Sequence, residues 1–139
     1  MSFTIYTLDL RSPFLYSKIP VSDPFAVLDS GEQAVCFSLP DTNAFSIEPD
    51  PENYLGPMVF AGVQSGGSET PLCSIPQGLY LFGQVREHPK KELFTAMAIE
   101  VQKEGLWRRL ELEPLVFLRV LKEEDELVTQ VLRPIKRLP

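Results

Sequence analysis

The stretch from Ile75 to Lys136 constrains the fold most, because a strand period and a helix period follow one another there with clear punctuation between them. Leu79-Tyr80-Leu81-Phe82-Gly83-Gln84-Val85 is rich in aromatic and aliphatic side chains. It follows the turn-forming Ile75-Pro76-Gln77-Gly78 and reads as a strand. Pro89 suits the first turn of a helix, where its missing N–H has no partner to lose. From Lys90 to Glu104 the period changes. Leu93, Phe94, Met97, Ala98 and Val101 fall on one stripe, and Lys91, Glu92, Thr95, Gln102 and Lys103 fill the other side. Gly105 is placed to end the helix as a left-handed residue. A helix of about fifteen residues is marginal alone, so its stripe must pack on something.

The partner follows in sequence. Leu115–Leu121 and Leu127–Arg133 flank a charged tip, Lys122-Glu123-Glu124-Asp125-Glu126, in a hairpin pattern. Alternation sends Val116, Leu118 and Val120 toward the helix and Phe117 and Arg119 to the opposite face, which meets either solvent or a second module.

The first half is built of shorter pieces. Phe3 to Leu10 alternates and opens the fold as a strand. Pro13, Pro20 and Pro24 exclude a long helix from the next segment. Phe14-Leu15-Tyr16 reads as a short strand, Phe25–Leu28 and Ala34–Leu39 as two strands around Asp29-Ser30-Gly31-Glu32, and Met58–Val63 as another. Prolines break residues 40–57 into a long loop, whose Phe45, Ile47, Tyr54 and Leu55 are expected to fold back over the sheet. Ser65-Gly66-Gly67-Ser68 marks a linker over 65–74. The chain thus divides into a first module (1–64), a linker (65–74) and a second module (75–139) within one domain. Strands 3–10, 33–39 and 58–63 weakly echo 79–85, 115–121 and 127–133. The expected fold class is α+β, an antiparallel sheet built from two strand-helix-strand-strand modules, the first with a degenerate helix.

Composition removes several functions. The chain has 139 residues, a length suited to one domain, and no apolar run long enough to span a bilayer. Met1 to Tyr6 lacks the basic and apolar regions of a signal peptide, so the expected location is the cytoplasm. The formal charge is −6, and it is uneven: residues 1–86 hold only Arg11, Lys18 and Arg86 against nine acids, while 87–139 hold ten of each sign. An acidic chain without a basic stripe is not expected to contact nucleic acid directly. Cys36 and Cys73 read as buried free thiols, and His88 is the single histidine, so no zinc cluster or histidine-activated nucleophile is expected. Asp41, Glu48, Asp50 and Glu52 match no calcium loop. No metal or cofactor is implied.

Four segments carry a family likeness: Ile75-Pro76-Gln77-Gly78-Leu79-Tyr80, Gly105-Leu106, Glu113-Pro114-Leu115-Val116-Phe117 and Arg133-Pro134-Ile135. Together they resemble the second module of the gyrase-inhibitor-like (GyrI-like) family, which includes effector-binding domains of bacterial transcription regulators. The resemblance implies a pseudo-twofold α+β domain with a cleft between modules, binding a small hydrophobic or cationic molecule between aromatic walls and a glutamate. Here Val116 falls near the place of that glutamate and Glu113 lies just outside it. No DNA-reading helix-turn-helix is expected within these 139 residues.

Tyr80 and Phe82 share a strand face, and Tyr6, Phe60 and Phe117 are candidates to meet them across the cleft. Aromatic area with one polar group is what a pocket for an apolar ligand needs. The candidate ligand-binding set is Tyr6, Phe60, Tyr80, Phe82, Trp107, Glu113 and Phe117. The favoured function is a stand-alone small-molecule-binding protein of the GyrI-like type. The alternatives are a protein-interaction module without ligand, and a weak hydrolase in the cleft that would use Glu113 and Tyr80 as its acid–base pair. Exposed strand edges leave room for a homodimer.

Overall fold

The computed structural model describes residues 3–19, 34–40, 54–63, 72–88 and 90–137, with backbone alone for 17–19, 34–40, 56–60, 63, 72, 73 and 137. Among the described residues there are nine strands and one helix: β1 Ile5–Leu10, β2 Phe14–Ile19, β3 Ala34–Pro40, β4 Leu55–Val63, β5 Leu72–Ile75, β6 Gly78–Val85, α1 Lys91–Trp107, β7 Glu111–Leu112, β8 Val116–Glu123 and β9 Glu126–Arg137. The fold is α+β with an antiparallel sheet in the order β1-β6-β9-β8-β3-β4-β2-β5, and β7 pairs with β9 off that path.

The order closes on itself. β1 and β2 are one ribbon bent at residues 11–13, and β5 and β6 are another bent at 76–77. β1 pairs with β6 and β2 with β5, so the two ribbons run side by side. β9 then joins β6 at one end of the path, and β4 joins β2 at the other. The result is a six-membered antiparallel barrel of two bent ribbons and four strands. Pairing treats the two halves alike: β1–β2 corresponds to β5–β6, β3 to β8 and β4 to β9.

Alternation along each strand gives the barrel two faces. The outer face carries Leu81, Val116, Leu118, Val120 and Val131, and α1 packs on it through Phe94, Met97, Ala98 and Val101. The inner face carries Leu10, Tyr16, Ile75, Tyr80, Phe82, Phe117 and Leu132. The face of Phe117 and Arg119 therefore meets the first module, through Phe14 and Tyr16 of β2. It is closed in by β2, and Phe117 is 4% exposed.

Several boundaries differ from the sequence expectation. Gly105 does not end the helix but lies buried inside it. A Cβ there would stand 2.6 Å from Leu112 Cδ1 and 3.2 Å from Leu81 Cδ1, so this glycine serves close approach of helix and sheet. The stop comes four residues later. Leu110 N–H donates to Gly105 O (2.9 Å) and Arg109 N–H to Leu106 O (3.1 Å), with Arg109 left-handed at φ 60°. This is a Schellman ending with arginine in glycine's usual place. Thr95 and Gln102, placed on the polar side, are buried. Gln102 can be buried because it has polar partners: Tyr54 OH donates to its Oε1 (2.6 Å), as does Arg133 Nη1 (3.1 Å). The hairpin tip narrows to Glu124-Asp125, since Glu123 pairs with Glu126. The end of the expected linker forms β5, paired to β2. Phe25–Leu28, the degenerate first helix, Phe45 and Ile47 lie outside the described residues. No described helix is long and apolar enough to cross a membrane.

Candidate functional site

Strand register draws four of the expected site residues into one row around the barrel. Phe60 on β4 stands opposite Phe37 on β3, which stands opposite Phe117 on β8. Phe117 pairs with Leu132, Leu132 with Phe82, and Phe82 with Tyr6. For Phe60 and Phe37 this is a statement of backbone position. Tyr80, one row along, meets Phe117 edge-on, with centroids 6.1 Å apart. Tyr80, Phe82, Phe117 and Leu132 are closed into the inner core. Tyr6 ends the row and is 42% exposed, its ring packed against Phe82 with centroids 5.1 Å apart and planes tilted by 50°. The row is therefore core at its centre and surface at its β1 end.

The next row is polar. Arg119 on β8 faces Gln130 on β9, which faces Gln84 on β6. Arg119 Nη1 donates to Gln130 Oε1 (3.0 Å), and Gln130 Nε2 donates to Gln84 Oε1 (3.0 Å). Arg119 Nε donates across the interior to Tyr16 OH (2.6 Å), and its guanidinium carbon sits 3.9 Å from the centroid of the Phe14 ring. The row runs from a half-buried cation to an exposed amide.

Tyr6 and Gln84 open onto a groove of about 720 Å³ where the start of β1 meets the end of β6. Phe3, Thr4, Val85, Arg86 and Glu87 complete its lining. The Phe3 ring lies directly over Gly83, where any Cβ would strike it. Arg86 is fixed at the rim by Glu123 (2.9 Å) and Glu126 (3.3 Å), which raise its pKa.

The remaining expected residues stand apart from this groove. Trp107 projects from the end of α1 at 85% exposure, beside the exposed Leu106. Glu113 is half-buried after β7. Its backbone N–H donates to Pro134 O (2.9 Å), and its carbonyl accepts from Arg133 Nε (2.7 Å). The Tyr80 hydroxyl donates to Pro76 O, and burial pushes its pKa up to about 12. That phenol is held protonated and engaged, which opposes service as a proton carrier near neutral pH.

Sequence reasoning missed Gln84, although its parity with Tyr80 and Phe82 places it on the same strand face. It also missed Arg133, which is 1% exposed and bonded to Tyr54 OH (3.0 Å) and Gln102. Burial lowers the pKa of Arg133 and raises that of Tyr54, and their mutual contact opposes both shifts. This cluster ties helix to sheet on the outer face. No family model and no curated protein sequence matches the chain.

Proposed function

We propose that this chain is a small-molecule-binding domain of the GyrI-like type, acting in the cytoplasm, whose ligand lies in the groove with one face on Tyr6. The observation that carries the reading is the Tyr6 ring, 42% exposed, backed by Phe82 and set in the wall of a groove of about 720 Å³. A ring supported from beneath offers contact area that needs little ordering on binding. The groove's volume and its mixture of apolar and hydrogen-bonding walls suit a small, mostly apolar molecule. The equivalence of the two halves in the strand pairing supports the family part of the reading. The ligand site is then at the end of the aromatic row, with Tyr80, Phe82 and Phe117 supporting it from within.

A thermal-shift screen of planar apolar compounds against the wild type and Tyr6→Ala tests this. Ligands of the native state will raise the wild-type melting temperature and lose that effect in Tyr6→Ala. Absence of any stabilising compound, or full retention of the shifts in Tyr6→Ala, would overturn the reading.

A further inference from the structure

The polar row gives the groove a hydrogen-bonding sense. A guanidinium only donates, so the amide of Gln130 must turn its oxygen to Arg119. Its nitrogen then faces Gln84, whose oxygen must accept. Gln84 is exposed and lines the groove, so the group it has left to present there is Nε2, a donor. Reversing either amide would set two donors against each other. The chain's inner end is fixed by Tyr16 OH and the Phe14 ring. The Arg119 charge, donating into this chain, polarises the amides toward the groove. The rim is acidic: Arg86 is shared by Glu123 and Glu126, and Glu87 stands beside it. That excess opposes an anionic ligand, and the Gln84 donor opposes a cationic one.

We propose that the groove takes a planar, uncharged aromatic molecule bearing a carbonyl group, whose oxygen accepts from Gln84 Nε2 while its ring lies on Tyr6. The proposal rests on the groove being the ligand site. Arg119 is a positioning residue that acts through Gln130 to set the sense of Gln84.

The test is a matched pair of probes, 2-acetylnaphthalene and 2-isopropylnaphthalene, which share ring and shape but of which only the first carries an acceptor. The wild type will bind the acetyl compound about fivefold tighter, the ratio expected of one net hydrogen bond. Gln84→Glu, which replaces the donor with a carboxylate at an exposed position, will erase the ratio, the acetyl compound losing its advantage over the isopropyl one. Arg119→Met, by releasing the amide chain, will reduce the ratio without abolishing binding. Equal binding of the two probes by the wild type, or a preference that survives Gln84→Glu, overturns the proposal alone. Failure of the wild type to bind either probe removes the groove as a site, and the proposal with it.

Discussion

Arg119 Nε and the Tyr16 hydroxyl lie 2.6 Å apart, although β8 and β2 are three steps apart in the sheet. Along the sheet, three steps span about 14 Å at the usual strand spacing. The bond therefore crosses the interior and joins opposite walls of the barrel. It is also charge-assisted, with the guanidinium further held by the Phe14 ring.

Because the two groups join walls that share no backbone ladder, they should be strongly coupled. Tyr16→Phe is expected to cost about 1.5 kcal/mol in the wild type, in the range for hydrogen bonds to charged groups. In an Arg119→Met background the same change should cost under about 0.5 kcal/mol, because the hydroxyl then has no cation to meet. Chemical denaturation of the four proteins gives the cycle. Additive losses would mean the contact does not hold the barrel closed.

Gly105→Ala sets two effects against each other. In a helix interior, alanine is favoured over glycine by about 1 kcal/mol. Here the added Cβ would stand 2.6 Å from Leu112 Cδ1 and 3.2 Å from the buried Leu81. Overpacking costs about 1–3 kcal/mol, so the net expectation is a loss of about 1 kcal/mol. In a Leu112→Ala background the clash with Leu112 is gone, and the same substitution should become neutral or stabilising. Melting temperatures of the two pairs decide it.

The second half was largely legible because its signals are local. The runs at 79–85 and 115–121, the helical stripe from Leu93 to Val101 and the return strand all stand where the periods put them. What escaped depends on contacts distant in sequence. Nothing near Gly105 announces Leu112 and Leu81 as neighbours, so a glycine used for close approach read as a helix stop. Gln102 read as a surface residue, and Arg133 drew no notice, because Tyr54, the partner that permits their burial, is 48 and 79 positions away. Leu72–Ile75 is a four-residue strand that pairs with β2 among the described residues, and it merged with the linker before it. The inner aromatics were found by parity. Parity gives the face of a strand and not the depth, so core residues and wall residues looked alike.

The buried tyrosines set an alkaline limit on stability. Tyr80 ionises at about 12 in the fold, because burial disfavours the phenolate, whereas a phenol in the unfolded chain ionises near 10. Its pKa is raised in the fold, so its contribution is complete below about pH 10 and falls as pH rises toward 12. Tyr54, also raised by burial, acts in the same direction. Denaturation midpoints at about pH 9 and about pH 11 should fall more steeply in the wild type than in Tyr80→Phe. Parallel slopes would show that Tyr80 does not ionise at a different pH on unfolding.

Tyr6 and Phe82 give a further check on the wall of the groove. Phe82→Leu removes the ring beneath Tyr6 while keeping an apolar core residue, and is expected to cost about 1–2 kcal/mol. Compounds that stabilise the wild type should bind this variant more weakly, because the Tyr6 ring loses its support. Unchanged affinity in Phe82→Leu would mean that Tyr6 is positioned by other contacts.

The most direct measurement is a backbone amide chemical-shift map of the isotope-labelled chain titrated with a library of planar aromatic fragments. Binding at the groove will move the amides of Phe3, Thr4, Tyr6, Gln84, Val85 and Arg86, and leave those around Trp107 and Glu113 in place. A library that moves nothing, or shifts gathered at Trp107 or Glu113 instead, would contradict the assignment of this groove as the ligand site.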